Sequence, residues 1–419
     1  MKKKKMKLHS FFSTLSANAT ILPMVETILF TAQQLKVLAI LPIISGPLSL
    51  LGSTLILLKI FRERKKRLSQ TYHRILLGFS TLDIIGSFAY CFSTLPSPIG
   101  TPNTWGARGN DATCSAQGFF LVIGTGIIFY NAALVIYYVL TICFNVPEVV
   151  LRKHYDPWVH RFVLLFSLIP SVLGVILGMI NNVGNVCFIG DYPVGCASND
   201  EVECERGQNY FLFSIVTFGW AAILTCAIVP ICMVLILLRI KKQDDKMKKK
   251  YEFRPGMSKY SSVISRGSSN LPSSSADTSV KVASITQLKR RKISLLGKVS
   301  GKTKQVRTQA LMYATASVLC LWWPIIIRLN VGGGHFIIRC LAQFFYPLLG
   351  FFNFISYTRP RALKLVENGT AKSTLHAFYL AAFVADDKVK RLHLQRKAQL
   401  TAKRVLKPIE NSRNNDQGE

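Results

Sequence analysis

The stretch from Cys114 to Cys143 constrains the fold of this chain most, because it contains no Asp, Glu, Lys, Arg or His. As a helix it would be roughly 45 Å long, which exceeds the ~30 Å hydrocarbon core of a bilayer. A helix that is apolar on every face is either a membrane span or the core of a very large soluble protein. The polar residues Gln117, Thr125 and Asn131 within it indicate that other helices surround it, rather than lipid alone. We therefore predict a membrane span that lies inside a helical bundle.

The charge pattern also favours a membrane protein. Charged residues make up 17% of the chain, whereas about 25% is typical of soluble proteins. The net charge is +31, but the basic residues avoid the apolar runs and gather in a few loops and in a basic tail over residues 359–419, which we expect to be cytoplasmic. This distribution is typical of the positive-inside rule, so we expect a lipid bilayer, and not nucleic acid, as the partner of the positive charge.

Seven apolar segments are long enough to cross a membrane, and they predict an all-α membrane protein, a seven-transmembrane helix bundle over residues 35–358. The predicted spans cover residues 38–60, 72–95, 114–143, 158–180, 210–238, 308–329 and 336–357. Basic clusters follow spans 1, 3, 5 and 7, and an acidic loop with three cysteines follows span 4. The charges therefore predict a multi-pass integral membrane protein with its N-terminus outside and its C-terminus in the cytoplasm.

Two further segments lie outside the predicted spans. Residues 1–34 predict an extracellular N-terminal segment, in which Asn18 begins a glycosylation sequon and residues 1–19 are either a signal peptide or a disordered tail. Residues 239–307 are rich in Lys, Arg and Ser and predict a largely disordered cytoplasmic loop, flanked by basic extensions of the neighbouring helices. Within this loop Ser294 follows a basic run and is a candidate for phosphorylation, although a solvated linker explains the same composition.

Four cysteines lie at or between span ends on the predicted outer side: Cys114, Cys187, Cys196 and Cys204. A disulfide between Cys114 and Cys187 would fix the loop after span 4 over the mouth of the bundle. Cys196 and Cys204 lie in the same loop and could close a small ring. Because three loop cysteines compete for partners, free thiols or a different pairing stay open as alternatives.

Asp83 is an acidic residue well inside a predicted span. A charge at the bilayer centre costs about 3 kcal/mol on insertion scales, so such residues are commonly retained for function. We expect its partners on spans 3 and 7, with Asn353 as the first candidate. Two interpretations are open: a sodium or proton site, or a protonated carboxyl that only hydrogen-bonds its neighbours.

Span 6 holds three more residues of interest. Trp322 and Pro324 predict a kinked helix with a large aromatic side chain at the kink, although most aromatic residues in spans serve packing. Arg328 lies near the predicted outer end of the span. Its side chain could meet an anionic ligand group, or it could extend to the lipid headgroups.

The sequence offers no catalytic arrangement. His154 and His160 lack carboxylate or cysteine partners at a metal-ligand spacing. Neither a phosphate-binding glycine loop nor a serine-hydrolase elbow occurs. We therefore predict that the protein is not an enzyme and has no cofactor and no metal site.

Three local patterns carry a resemblance to a known family: RILLGFSTLDII at residues 74–85, YNAAL at residues 130–134 followed by two tyrosines, and GFFNFISY at residues 350–357 followed by Arg-Pro-Arg. Together with the seven spans, they resemble the G protein-coupled receptors, and more narrowly the cAMP-receptor-like and secretin-like (family 2) group of protists. Asp83 also resembles the span 2 acid of the rhodopsin-like class. However, span 3 ends at residues 142–145 without that class's Asp-Arg-Tyr triad.

The resemblance implies a cell-surface receptor that binds an extracellular ligand and transmits the signal to a heterotrimeric G protein. Ligand entry is implied among spans 3, 5, 6 and 7, with the pocket candidates Tyr130, Asn131, Trp322 and Arg328. The implied intramembrane switch residues are Asp83, Asn353, Tyr357 and Pro324. The candidate G protein contacts are Arg64, Arg152, Lys241, Arg307 and Arg359. The alternative is a seven-span transporter or channel for a small solute, which the lack of an internal repeat disfavours.

Overall fold

The computed structural model describes residues 30–198, 202–252, 308–323, 326–327, 335–384 and short stretches up to residue 401. Several predictions fall on positions outside these described residues. They are the signal peptide, glycosylation of Asn18, phosphorylation of Ser294, and the roles of Arg307, Pro324 and Arg328.

The all-α, seven-helix prediction is confirmed, since a helix coincides with each predicted span. The helices are Ala32–Arg62 (span 1), Thr71–Cys91 (span 2), Asp111–Gly124 and Ile127–Ile142 (span 3), Glu148–Ile176 (span 4), Tyr210–Ser214, Ile215–Gly219 and Trp220–Glu252 (span 5), 308–323 (span 6), and Phe336–Phe345, Tyr346–Leu348 and Leu349–Glu367 (span 7). Shorter helices among the described residues include Arg64–Arg67, Cys196–Ser198 and Thr374–Phe383.

The outer surface of the bundle is apolar, as a bilayer requires. Six of the described helices are long and apolar enough to cross a membrane. Large aliphatic side chains face outward on different spans, among them Leu51, Leu165 and Ile223, which are 56%, 54% and 62% exposed. Small polar side chains lie inside instead, such as Ser49 and Ser171. This inverted distribution identifies an integral membrane protein.

Span 3 lies at the centre of the bundle, as its sequence predicts. Its apolar window is 78% buried, whereas the windows of the other five candidate spans are 28–50% buried. The backbones of spans 2 and 3 approach each other closely at Gly86 and Gly124. A Cβ atom added to Gly124 would lie 2.8 Å from the Cα atom of Gly86, which leaves no room for a larger residue. The helix starts at Asp111, where Asn110 and Thr113 form a capping box.

The two ends of the bundle differ in structure. At one end, strand β1 (Ile180–Asn182) pairs antiparallel with strand β2 (Cys187–Ile189) and packs on span 3. We call this the disulfide end, because Cys114 is bonded to Cys187 there and Cys196 to Cys204. The opposite end, which carries residues 62–67, 152–153 and 359–361, is called the basic end.

The helix of span 5 continues beyond the predicted span as a basic extension, as expected for the flank of the loop 239–307. It continues through Glu252, so the first part of that loop is helical and not disordered. Hydropathy locates where a helix leaves the membrane but not where it ends, and the Lys residues that follow have good helix propensity. Span 7 similarly continues past Tyr357 to Glu367, so the predicted tail begins with a helical segment that carries Arg359.

Candidate functional site

Asp83 is the centre of a buried polar cluster that joins spans 1, 2 and 7. Its side chain is 3% exposed. Its Oδ2 atom accepts hydrogen bonds from the hydroxyls of Ser53 at 2.8 Å, Ser49 at 3.1 Å and Ser87 at 3.4 Å. The Ser49 oxygen in turn accepts from the backbone N–H of Gly350 at 2.9 Å. A hydrogen-bonded path therefore runs from span 2 through span 1 to span 7.

The expected partner, Asn353, is not among the described hydrogen-bond partners of Asp83. Asn353 is 1% exposed, and neither its side-chain nitrogen nor its oxygen has a described hydrogen-bond partner. Three serines on span 1 did carry a readable signal, since Ser45, Ser49 and Ser53 recur every four residues and so share one helix face. That serine-bearing face of span 1 holds two of the three serines bonded to Asp83.

Gly350 is required by the close approach of span 7 to this cluster. A Cβ atom at this position would overlap the Oδ2 atom of Asp83 and lie 2.5 and 2.6 Å from the hydroxyls of Ser53 and Ser49. Any larger residue would therefore displace span 7 or break the serine contacts.

The ligand-pocket candidates on span 3 point in different directions. Asn131 is buried, and its Oδ1 atom accepts a hydrogen bond from Ser317 of span 6 at 2.8 Å. Tyr130 instead faces span 4, where its hydroxyl lies 2.7 Å from Nδ1 of His160. His160 also pairs with Asp156, so it has a carboxylate partner that the sequence analysis did not identify. Tyr130 therefore lies towards the basic end and away from the hairpin.

On span 6, Trp322 is 43% exposed and its neighbour Trp323 packs inward. The Trp323 ring is stacked against Phe345 of span 7, with 6.4 Å between the ring centroids. Of the two tryptophans, Trp323 is the one in ring contact with span 7.

Four tyrosines from spans 2, 3, 6 and 7 contact one another at the basic end. The hydroxyls of Tyr72 (span 2) and Tyr313 (span 6) are 2.8 Å apart. Gln309 of span 6 donates to the Tyr72 hydroxyl, also at 2.8 Å. The ring of Tyr138 (span 3) lies 6.0 Å from Tyr72 and 6.3 Å from Tyr313. The stacked ring of Tyr357 (span 7) lies 6.5 Å from Tyr72. We call these four residues the tyrosine cluster.

Two charged residues, Arg67 and Glu148, form hydrogen bonds at the edge of the tyrosine cluster. Arg67 donates to the hydroxyl of Tyr357 and forms an ion pair with Glu63 at 2.9 Å. Glu148, just after span 3, accepts from the backbone N–H of Thr71 at the start of span 2 and from the hydroxyl of Tyr137 at 3.3 Å. A carboxylate at a helix N-terminus is favourable because it meets free N–H groups and the positive end of the helix dipole. Spans 2 and 3 are therefore linked here without an Asp-Arg-Tyr triad.

The disulfide end is fixed by more than its two bridges. Gln117 of span 3 accepts from the backbone N–H of Cys187 at 2.9 Å. Its side-chain nitrogen donates to the backbone oxygens of Ser93 at 2.7 Å and Ala89 at 3.1 Å. Gln117 therefore joins the hairpin to the end of span 2, next to the disulfide of Cys114.

The candidate G protein contacts that the structure describes lie at the basic end. Arg64, Arg152 and Lys241 are exposed. Arg359 is half-buried, and its guanidinium lies 3.6 Å from the sulfur of Met312 on span 6. Three of these four residues therefore have side chains accessible to a partner.

The sequence matches no family model and no curated protein. Among solved structures, the fold is similar to the crystal structure of squid rhodopsin, with a TM-score of 0.48 and 13% sequence identity. The match covers 85% of this chain and 89% of that chain. At this level of identity, no residue role is transferred from one protein to the other.

Proposed function

We propose that this chain is a cell-surface receptor that binds an extracellular ligand and transmits the signal to a heterotrimeric G protein. One observation carries the proposal: the hydrogen bond between Tyr72 and Tyr313 closes the basic end by joining span 2 to span 6. A neutral contact of this kind between two helices contributes about 1 kcal/mol, so a ligand can outweigh it. The motifs that resemble G protein-coupled receptors support the same function.

Ligand binding is proposed at the disulfide end, beneath the hairpin. The Cys114–Cys187 bridge and Gln117 keep this end rigid, so a ligand meets a preformed rim. Deeper in the bundle, towards the basic end, Asn131 of span 3 contacts Ser317 of span 6. A ligand that moves span 6 would alter this contact.

The Asp83 cluster is proposed as the coupling element in the middle of the bundle. It joins three spans through serine hydroxyls and the Gly350 backbone, so movement of span 7 changes its hydrogen bonds directly. The buried, unpaired side chain of Asn353 is a polar group for which a rearranged bundle could supply a partner.

Opening of the basic end is the proposed signalling step. Separation of Tyr72 from Tyr313 would free the basic end of span 6, and the exposed Arg64, Arg152 and Lys241 surround that end. The ligand shifts the population towards this open state only to the extent that it binds the open state more tightly. The open face would then accept the G protein.

The test uses the full chain in lipid nanodiscs with a panel of purified heterotrimeric G proteins and a library of small extracellular ligands. Binding of a non-hydrolysable GTP analogue is measured with and without each ligand. Ligand-dependent nucleotide exchange is the expected result. Ligand-driven solute flux in liposomes without nucleotide exchange would instead support the transporter or channel alternative.

The proposed orientation follows the distribution of charge, with the disulfide end outside and the basic end in the cytoplasm. Residue 419 and the loop after span 5 would then be cytoplasmic, and the acidic loop after span 4 extracellular. Epitope tags placed in these segments should be accessible to antibodies in intact cells only for the extracellular loop. Plasma-membrane residence and membership of the cAMP-receptor-like group belong to the same proposal.

A further inference from the structure

A groove of about 440 Å³ opens on the lipid-facing surface of the bundle between spans 2, 3 and 4. Its lining includes Leu77, Thr81 and Leu164, which are apolar or weakly polar, and Arg74 and His160, which are cationic or titratable. Leu164 is 48% exposed, as expected of a side chain that faces lipid. In a bilayer this groove must be filled by part of a lipid.

The polar end of the groove is held by a buried carboxylate. Asp156 of span 4 has no exposed side-chain surface and pairs with Nε of Arg74 at 2.9 Å and with Nε2 of His160 at 3.4 Å. The other ring nitrogen of His160 is engaged with the hydroxyl of Tyr130. The two terminal Nη groups of Arg74 form no hydrogen bond with the described residues, and its side chain is 37% exposed. Arg74 is therefore oriented by Asp156 with donors left over.

The depth of these groups matches that of a lipid headgroup. Arg74 lies one turn inside the start of span 2 at Thr71, which is about 5 Å along a helix. Leu77 and Thr81 follow on the next two turns, deeper in the membrane. From the basic end inward, the groove thus offers a guanidinium and then an apolar wall, in the same order as the headgroup and acyl chain of a phospholipid.

We propose that this groove binds one phospholipid with an anionic headgroup from the leaflet at the basic end. The phosphate oxygens accept hydrogen bonds from the free Nη groups of Arg74, and an acyl chain lies along Leu77, Thr81 and Leu164. Exposed basic residues near the start of the span 4 helix, Arg152 and Lys153, favour a net negative headgroup over a zwitterionic one. This inference does not depend on the receptor function.

The test is native mass spectrometry of the full chain released from nanodiscs that hold equal amounts of phosphatidylglycerol and phosphatidylcholine with identical acyl chains. One cationic residue near the surface is expected to favour the anionic lipid about fivefold. Arg74→Gln should abolish this preference. The matched control is Arg161→Gln on span 4, an exposed arginine that packs over Trp158 outside the groove and should keep the preference.

A second variant keeps the proposal testable if loss of the Arg74 charge destabilises buried Asp156. Thr81→Phe fills the apolar part of the groove without touching that ion pair, and it should reduce retention of both lipids. Ile169→Phe, at a 50% exposed position of span 4 outside the groove lining, should not. Equal retention of the two lipids by the parent, unchanged retention in Thr81→Phe, or displacement of the lipid by millimolar glycerol 3-phosphate would each overturn the proposal.

Discussion

Removal of the Tyr313 hydroxyl tests most directly whether the tyrosine cluster keeps the basic end closed. Tyr313 has no exposed surface, so Tyr313→Phe preserves the ring packing and deletes one hydroxyl. The change breaks the bond to Tyr72, whose hydroxyl still accepts from Gln309. The Tyr72 hydroxyl therefore keeps one of its two described hydrogen bonds after the change.

The expected shift of the closed–open equilibrium follows from the number of hydrogen bonds that each substitution removes. A net contribution of about 1 kcal/mol per hydrogen bond corresponds to about a fivefold shift of the closed–open equilibrium. Tyr72→Phe removes two contacts, those with Tyr313 and Gln309, and should shift the equilibrium by up to about thirtyfold. Ligand-independent activity should therefore rise in the order parent, Tyr313→Phe, Tyr72→Phe.

The assay is the rate of GTP-analogue binding by the responsive G protein, with the receptor in nanodiscs and no ligand. Tyr379→Phe is the matched control, since Tyr379 lies 57% exposed on the helix Thr374–Phe383 and its hydroxyl has no described hydrogen bond. Basal rates for Tyr313→Phe and Tyr72→Phe at or below the control rate, in preparations with equal folded fractions, would refute the closing role of the cluster.

Three further predictions concern the core and the disulfide end. Gly350→Ala should lower the thermal unfolding midpoint markedly, because the added Cβ atom would overlap Asp83. Gly174→Ala is the control and should be tolerated, because the nearest atom to its added Cβ lies at 3.4 Å. Equal unfolding midpoints for the two variants in a thiol-reactive dye assay would contradict this. Asp83→Asn should abolish any dependence of the ligand response on sodium or pH that the parent shows, and a retained dependence would exclude Asp83 as the site. Alkylation of the unfolded chain should modify the four cysteines of Cys114–Cys187 and Cys196–Cys204 only after reduction, and labelling of any of them beforehand would contradict the pairing.

The architecture could be predicted from the sequence, because long segments with few or no charged residues are compatible with few folds other than a bundle of membrane spans. A segment such as 114–143 cannot be a soluble surface helix, and six further segments of comparable length leave a bundle as the remaining solution. The positions of the helix ends were less predictable: a basic extension of span 5 is expected from the sequence, but its continuation as far as Glu252 is not. Hydropathy reports the membrane boundary, and helix propensity then extends the helix into water.

The candidate site was predictable in its chemistry and less so in its contacts. Asp83 stands out because an acid inside a span is costly, but its serine partners belong to a residue type common within spans. Tyr130 and Asn131 illustrate a second limit. Consecutive helical residues point about 100° apart, and span 3 is buried nearly all round, so the sequence does not reveal which neighbour each one faces.

The tyrosine cluster was missed for a related reason. Tyr72 and Tyr313 are 241 residues apart, and a single sequence contains no signal that pairs them. Their roles follow only from the packing of spans 2 and 6. The missing Asp-Arg-Tyr triad at the end of span 3 was visible, but the sequence did not indicate what replaces it.

The hydrogen bond between Tyr72 and Tyr313 joins two neutral side chains, and this leads to a final prediction. An ion pair between exposed charges weakens as salt rises, since the screening length falls from about 10 Å at 0.1 M to 3 Å at 1 M. The bond between Tyr72 and Tyr313 joins two uncharged hydroxyls, and Tyr313 is fully buried, so its strength should not respond to salt. The ratio of basal activity between Tyr313→Phe and the parent should therefore stay constant as sodium chloride is varied.

Use of a ratio removes the effect of salt on the G protein itself, because both receptors meet the same G protein at each concentration. Arg67→Gln provides the contrasting case, as its guanidinium is charged and contacts both Glu63 and the Tyr357 hydroxyl at the rim. Its ratio to the parent should fall as salt rises, but less than for a fully exposed pair, because the Arg67 and Glu63 side chains are 13% and 17% exposed. If the Tyr313→Phe ratio fell in the same way, charges at the rim, and not the buried hydroxyls, would be what holds the basic end closed.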